Sequence, residues 1–136
     1  MCSQTRAQPQ GCRALTVGTF HNDTANGALV KFFAPWCGHC SMMAPAFNSL
    51  ARRVHREFFN VTIGQVNGDT ERELIDKFSI KGYPTVALIH KGEAVEWYSG
   101  AMDEGAMFSF LRTMHIRNPA IPEMKPNPKA KQRHDR

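Results

Sequence analysis

A short apolar run followed at once by two closely spaced cysteines is the feature that most constrains the fold. The run reads Ala-Leu-Val-Lys-Phe-Phe-Ala over 28–34, and Pro-Trp-Cys-Gly-His-Cys continues it to residue 40. A nearly continuous apolar run of this length is typical of a strand buried on both faces. Behind the cysteines, apolar residues recur at spacings of three and four, namely Met43, Phe47, Leu50, Val54 and Phe58. This spacing predicts one face of a long helix, so the thiols lie between a buried strand and a helix.

The patterns in the rest of the chain alternate between strand and helix. Strands are predicted at 14–17, 61–66, 85–90 and 94–98, and helical segments at 20–26, after Thr70 and after Asp103. Thr70 and Glu73 have the spacing of a capping box, Lys91-Gly92 indicates a hairpin, and Asp103 can cap the last helix. The predicted order is therefore βαβαβαββα. Such alternation implies an α/β fold, with a mixed central sheet covered by helices on both faces.

Composition and charge divide the chain into three regions. Residues 1–13 are predicted to be a flexible polar leader, 14–118 the folded domain, and 119–136 a disordered, proline-rich basic tail. The tail carries +3 and the leader +2 of a net charge of +5, so residues 14–118 have no net charge. This balance gives no support for nucleic-acid binding by the folded domain. No apolar run approaches the roughly 18 residues that a membrane span requires.

Three interpretations of the cysteine pair Cys37 and Cys40 compete. A structural zinc site normally needs four ligands, but the other cysteines, Cys2 and Cys12, lie well apart in the polar leader. A purely structural disulfide between Cys37 and Cys40 would close too short a loop to constrain the chain much. A redox-active pair is the interpretation that we favour. Cys2 and Cys12 could pair with each other, bridge to another chain or stay free.

The expected position of Cys37 at the start of a helix suits redox chemistry. Unpaired N–H groups and the positive end of the helix dipole stabilise a thiolate there, and the thiolate is the form that attacks disulfides. Cys40, three residues further on, lies on the same face and within disulfide reach. Gly38 leaves the sulfur open to approach, and a protonated His39 adds positive charge beside it. Stabilising the reduced thiolate makes the corresponding disulfide a stronger oxidant.

The motif around these cysteines resembles the catalytic domains of protein disulfide isomerases, within the thioredoxin superfamily. The resemblance is carried by Ala34-Pro-Trp-Cys-Gly-His-Cys40, then Ala44-Pro45, and then Lys81-Gly-Tyr-Pro-Thr85. It extends from about Leu15 to Met114. The resemblance implies a thioredoxin fold, in agreement with the βαβαβαββα order obtained from the residues alone.

The resemblance also implies a role for each residue of the motif. Cys37 would be the nucleophile that forms a mixed disulfide with the substrate, and Cys40 the buried thiol that resolves it. His39 would favour oxidase and isomerase chemistry, and Trp36 would pack beside the site. Pro84 would be a cis-proline facing the two sulfurs, and the backbone of Tyr83 would pair with an extended substrate segment.

Two positions depart from the family pattern. A glutamate usually lies six residues ahead of the first cysteine and helps to deprotonate the buried one, but this sequence has Lys31 there. An arginine that tunes the buried cysteine shortly before the last helix is also missing, and Met102 is near that position. Lys31 either extends its ammonium out to solvent or lies close to Cys40. In the second case it would stabilise the Cys40 thiolate or accept its proton.

These observations predict a thiol–disulfide oxidoreductase of the protein disulfide isomerase type. Its substrates would be cysteine-containing proteins, and glutathione or an oxidase would be its redox partner. It would need no bound cofactor or metal, act as a monomer, and work in the endoplasmic reticulum lumen or elsewhere in the secretory pathway. One alternative is a thioredoxin module of a larger disulfide isomerase or of a quiescin-type sulfhydryl oxidase. The other is a chaperone-like binding module with poor turnover.

Overall fold

The computed structural model describes residues 12–58 and 60–128 of the 136-residue chain. Nine elements follow one another in the predicted order. They are β1 (Arg13–Ala14), α1 (Phe20–Asp23), β2 (Ala28–Phe33), α2 (Gly38–Glu57), β3 (Thr62–Asn67), α3 (Arg72–Lys77), β4 (Thr85–His90), β5 (Glu93–Tyr98) and α4 (Glu104–Arg117). The α/β class and the predicted thioredoxin fold are confirmed.

The strands form one mixed sheet in the order β1-β3-β2-β4-β5. β2 lies at its centre and pairs in parallel with β3 and antiparallel with β4. In this register, Lys31 lies between Gln65 of β3 and Val86 of β4. Since β2 and β3 are parallel, their carboxyl ends meet at the same edge of the sheet, where ligand and catalytic sites of such sheets usually form.

Alternating side chains of β2 belong to two separate cores, one on each face of the sheet. Leu29 packs with the apolar residues of α2 and α4. Val30 and Phe32 pack instead with residues of α1 and α3. All six residues of β2 are buried, as the apolar run predicts for a central strand covered on both faces. Burial of each large apolar side chain stabilises the fold by about 1.5–3 kcal/mol.

Two of the predicted turn and cap signals are confirmed, and one is wrong. Lys91 and Gly92 join β4 to β5 with φ values of 52° and 82°, the backbone of a tight hairpin turn. The Asp103 carboxylate accepts a hydrogen bond from the Ala106 amide at 2.8 Å and caps α4. Thr70 does not cap α3, because its hydroxyl donates to the Asn67 carbonyl and the helix begins two residues later, at Arg72.

The folded part extends beyond both predicted boundaries. Cys12 is 2% exposed, lies in the core beside α2 and is disulfide-bonded, whereas residues 1–11 lie outside the described residues. At the other end, Ile121 is buried in the same core and Met124 packs against it. Pro126 forms an isolated bridge with Phe58. Apolar side chains at the start of the proline-rich tail therefore fix residues 119–128 to the domain, and 129–136 lie outside the described residues.

None of the helices within 12–58 and 60–128 has the length and hydropathy needed to cross a bilayer.

Candidate active site

Cys37 is the residue at which the loop after β2 becomes helix α2. Its Sγ accepts a hydrogen bond from the Cys40 amide at 3.2 Å, and its own amide donates to the Ala34 carbonyl at 3.1 Å. It has extended backbone angles and occupies the N-cap position, where side chains such as serine or aspartate usually accept from the first turn. The sulfur therefore lies where unpaired amides and the helix dipole stabilise negative charge, as the sequence predicted.

The two thiols are both free but have different surroundings. Cys37 is 8% exposed, and a Cβ placed on the neighbouring Gly38 would meet no atom within 4 Å. The approach from this side is therefore open. Cys40 lies deeper, and its burial, followed by its hydrogen bond with Cys37, raises the pKa of the Cys40 thiol to about 11. Cys40 is consequently held as a thiol at neutral pH.

The segment between α3 and β4 closes the site from the other side. The peptide bond between Tyr83 and Pro84 is cis, as the resemblance implied. The Cys37 thiol donates to the Tyr83 carbonyl, with 3.6 Å between sulfur and oxygen. The Tyr83 ring meets the Trp36 ring edge-on, with 5.9 Å between their centroids. The structure thus brings Trp36, Cys37 and Cys40 together with Tyr83, which precedes the cis-proline Pro84 and lies far from them in sequence.

Two site residues were missed by sequence reasoning, and both follow β3. The Asp69 carboxylate accepts a hydrogen bond from the Trp36 indole at 3.2 Å, which orients this exposed ring. At Gly68, any Cβ would collide with the ring and hydroxyl of Tyr83, so only glycine lets Tyr83 lie this close. The available signal was the polar Asn67-Gly-Asp69 stretch at the end of a strand parallel to β2, and therefore at the same edge of the sheet.

Exposed side chains surround the two sulfurs. Trp36 is 71% exposed and Met42 77% exposed, and His39 is also on the surface. Met43, the next residue, is instead buried in the core. A tryptophan and a flexible methionine beside the thiols provide an adaptable apolar surface.

Lys31 does not extend to solvent, which excludes the first of the two interpretations of this residue. It is 3% exposed, and its Nζ lies 4.9 Å from the centroid of the Phe47 ring. Burial lowers the pKa of Lys31, and the nearby Cys40 thiolate acts in the opposite direction. Reciprocally, the Lys31 charge lowers the pKa of Cys40, against the larger effect of burial. Met102, where the family pattern has an arginine, is 39% exposed.

Within the described part of the chain, no group of three or more His, Cys, Asp or Glu side chains is arranged to hold a metal ion.

Comparison with known proteins agrees with this geometry. The family model of thioredoxin matches residues 12–113. A thioredoxin domain-containing protein 5 homolog of Drosophila melanogaster is 39% identical over 101 residues, which cover 74% of this chain and 24% of the relative. The protein disulfide-isomerase tigA of Aspergillus niger is 37% identical, with 74% and 28% covered. The chain thus spans about a quarter of the length of these curated relatives.

Solved structures show the same relationship. The first thioredoxin domain of mouse protein disulfide-isomerase A4 superimposes with a TM-score of 0.70 at 28% identity, over 88% of this chain and 83% of that one. The first two thioredoxin domains of Naumovozyma dairenensis Eps1p give 0.69 at 29% identity, over 81% and 43%. The protein therefore belongs to the thioredoxin family, and its homologues include protein disulfide isomerases.

Proposed function

We propose that this domain is a thiol–disulfide oxidoreductase of the protein disulfide isomerase type that acts on cysteine-containing proteins. The observation that carries the proposal is the arrangement of the two free thiols. Cys37 begins α2 with open space beside it, and Cys40 lies one turn further and deeper. This difference suits a pair in which one sulfur meets the substrate and the other waits behind it.

The chemistry follows from the position of each sulfur. In reduction, the Cys37 thiolate attacks a substrate disulfide, a mixed disulfide forms, and one substrate sulfur leaves as a thiolate. Cys40 then loses its proton and attacks Cys37 Sγ, which releases the second substrate sulfur and forms the Cys37–Cys40 disulfide. Oxidation of a dithiol substrate is the reverse. In isomerisation, the freed substrate thiolate attacks another substrate disulfide, and Cys37 is finally released without net oxidation.

Substrate is proposed to bind across Trp36, Met42 and the backbone of Tyr83. The Tyr83 carbonyl accepts a hydrogen bond from the Cys37 thiol. An extended substrate segment that pairs with the backbone of Tyr83 in place of this hydrogen bond would bring its own cysteine sulfur next to Cys37. Apolar residues beside the substrate cysteine would contact the exposed indole and thioether. This surface favours unfolded or partly folded protein segments over small thiols.

The direct test is to trap the mixed disulfide. Cys40→Ala should accumulate a covalent complex between Cys37 and a scrambled, disulfide-containing protein substrate, visible on a non-reducing gel and lost on reduction. Cys37→Ser with Cys40→Ser is the matched control and should form none. In parallel, the wild-type domain should reactivate scrambled ribonuclease above the rate of this double variant. Absence of both the complex and the reactivation would overturn the proposal.

The binding-module alternative rests on the exposed Trp36 and Met42 and makes a different prediction. A chaperone-like domain would suppress the aggregation of an unfolding protein equally well in the wild type and in the double cysteine variant. It would also reactivate scrambled ribonuclease no faster than that variant. The two measurements together therefore separate binding from turnover.

We infer that the domain works in the endoplasmic reticulum lumen as a module of the protein disulfide isomerase class, with glutathione or an oxidase as redox partner. Support comes from the redox chemistry itself and from relatives of whose length this chain covers only about a quarter. We also propose that the domain acts as a monomer. Fractionation of cells against a lumenal marker tests the location, and light scattering of the purified domain tests the oligomeric state.

A further inference from the structure

Lys31 is a cationic side chain in the middle of the central strand. It lies in β2 between Gln65 and Val86, and it is 3% exposed. No carboxylate within 12–58 and 60–128 lies within 4.0 Å of its Nζ. Removing an ammonium from water without a carboxylate partner is strongly unfavourable. Lys31 is therefore a buried cationic residue without a carboxylate partner in the described part of the chain.

The Lys31 amine lies among aromatic rings and close to the Cys37–Cys40 pair. Two aromatic rings line its stem and head, Phe33 at 5.4 Å and Phe47 at 4.9 Å from Nζ to ring centroid. Its cross-strand neighbours, glutamine and valine, do not titrate. Phe33 packs in one cluster with Cys37 and Cys40, so this ring joins the Lys31 amine to the two thiols. In the part of the chain that the structure describes, Cys40 of α2 is the group whose charge acts on Lys31.

We propose that Lys31 is the proton partner of Cys40, whose amine takes up the Cys40 proton as the thiolate forms and whose ammonium then holds that thiolate. The inference rests on the proposed function, because it concerns the step in which Cys40 resolves the mixed disulfide. In that step the proton moves from Cys40 Sγ to Lys31 Nζ. The thiolate attacks Cys37 Sγ, the sulfur–sulfur bond to the substrate breaks, and the substrate leaves as a thiolate.

The electrostatics of the pair favour this transfer over loss of the proton to bulk water. A buried thiolate and a buried ammonium are each unfavourable alone, but proton transfer inside the pair creates both at once and leaves its net charge at zero. Burial lowers the pKa of Lys31 and raises that of Cys40, so each group alone prefers its neutral form. The charge of Cys40 raises the pKa of Lys31, and the charge of Lys31 lowers the pKa of Cys40, so each opposes the effect of burial on the other group. Proton exchange between the two groups requires this compensation.

The same pair serves the oxidising direction. In this direction the neutral Lys31 amine first takes up a proton from the substrate thiol or from water. The substrate thiolate attacks the Cys37–Cys40 disulfide at Cys37, and Cys40 leaves as a thiolate beside the Lys31 ammonium. The ammonium then returns its proton to Cys40 and becomes the neutral amine. After disulfide formation in the reducing direction no anion remains beside Lys31, so the ammonium loses its proton to the departing substrate thiolate or to water.

The first test is the pH dependence of mixed-disulfide resolution. Reduced protein is mixed with 5,5′-dithiobis(2-nitrobenzoate) in a stopped-flow instrument. The Cys37 mixed disulfide with thionitrobenzoate forms with release of one coloured thiol, and release of the second by Cys40 is followed. In the wild type the rate should rise with pH and level off below the pKa of about 11 that Cys40 has in the dithiol. Lys31→Met removes the proton acceptor and keeps an apolar side chain of similar length. It should lower the rate at pH 7 by about tenfold or more, since one unit of pKa changes the thiolate fraction tenfold.

The matched control is Lys77→Met, which makes the same change of residue type and net charge at a partly exposed lysine paired with Glu93. It should leave both the rate and the pH profile unchanged. Equal rates and equal profiles for Lys31→Met and the wild type would overturn the proposal. Because Met replaces a buried amine, the variant should fold, and its thermal unfolding midpoint should not fall below that of the wild type.

The second test does not depend on any Lys31 variant. The ε-carbon signal of Lys31 is titrated by NMR in the reduced wild type and in Cys40→Ala. The proposal predicts a midpoint below the ordinary lysine value in both, and a lower one in Cys40→Ala, because no thiolate favours the ammonium there. The same midpoint in both proteins would contradict it. This titration requires no turnover, so it separates a failure of this inference from a failure of the proposed function.

Discussion

At the scale of single residues, the site depends on how closely Tyr83 approaches the loop after β3. Gly68 and Tyr83 touch so closely that any side chain at residue 68 would displace the ring. The Tyr83 ring in turn supports Trp36, and its carbonyl accepts from Cys37. A glycine without a catalytic group therefore sets the position of three residues at the candidate site.

Gly68→Ala should disturb both stability and turnover. The new Cβ would force Tyr83 away, at a cost of about 1–3 kcal/mol in the free energy of unfolding, as for other overpacked sites. The rate at which the domain reactivates scrambled ribonuclease should fall as well, because Tyr83 is displaced from the site. Denaturant unfolding and the reactivation assay measure the two effects.

Gly38→Ala is the control, since a Cβ there meets no atom within 4 Å. It should leave the free energy of unfolding unchanged or slightly higher, because alanine is the better helix former. If the two substitutions changed the free energy of unfolding equally, the effect of Gly68→Ala could not be assigned to its contact with Tyr83.

The residues of the site were predictable from sequence to different degrees. Cys37 and Cys40 were found because their spacing and their position after a buried strand carry the chemistry. Lys31 remained ambiguous, because a lysine in a buried strand can either extend to solvent or stay inside. Only the packing of α2, which brings Phe47 and Cys40 over this strand, decides between the two.

At the scale of elements, hydrogen bonds at the helix ends determine where α3 and α4 begin. Asp103 caps α4 directly, whereas Thr70 donates to the carbonyl of Asn67 and leaves α3 without a side-chain cap. Both residues matched a cap pattern in the sequence. The pattern could not tell them apart, because the Thr70 hydroxyl has a competing acceptor in the turn that follows β3.

Asp103→Ala should therefore destabilise the domain by about 0.5–2 kcal/mol, the usual effect of losing an N-cap. Asp103→Asn keeps an acceptor and should lose much less. Thr70→Ala should also cost less than Asp103→Ala, and urea unfolding of the three variants gives the comparison. A larger loss for Thr70→Ala would mean that its hydroxyl has a capping role after all.

The order of elements was predictable because the apolar periods change clearly along the chain. The attachment of residues 119–128 was not, since this segment has no periodicity and many prolines. Its anchors include two isolated apolar residues, Ile121 and Met124, which pack in the core to which α2 and α4 also contribute. Such contacts between distant parts of the chain leave no local signal in a sequence.

At the scale of the whole molecule, a buried histidine fixes the C-terminal segment far along the chain from the thiols. His115 is 4% exposed, and its Nδ1 lies 2.9 Å from the Pro122 carbonyl. Its burial, together with the charge of His90, lowers the pKa of His115. The hydrogen bond with this carbonyl acts in the opposite direction, but burial outweighs it and favours the uncharged ring in the folded state.

The domain should therefore lose stability as the pH falls. A folded-state pKa below the unfolded value means that the unfolded chain binds more protons in acid. The stabilising contribution of His115 to the free energy of unfolding is fully present above about pH 6.5. It is lost as the pH falls through the lowered folded-state pKa of His115. The loss is about 1.4 kcal/mol for each unit by which the pKa is lowered.

His115→Asn retains a donor near Nδ1 but does not titrate, so this part of the pH dependence should disappear. His55→Asn, at an exposed histidine, should keep it. Urea unfolding between pH 5 and pH 8 measures the difference. Identical pH profiles for His115→Asn and the wild type would contradict the assignment to His115.

The most direct test of the central claim is the reduction potential of the Cys37–Cys40 pair, measured against a glutathione series. The double variant Cys37→Ser with Cys40→Ser serves as the background for the other cysteines. We predict a potential near roughly −180 mV, that of protein disulfide isomerase, because the position of Cys37 at the start of α2 stabilises the reduced pair. A potential near roughly −270 mV, that of thioredoxin, would contradict the account, since the domain would then act as a reductant.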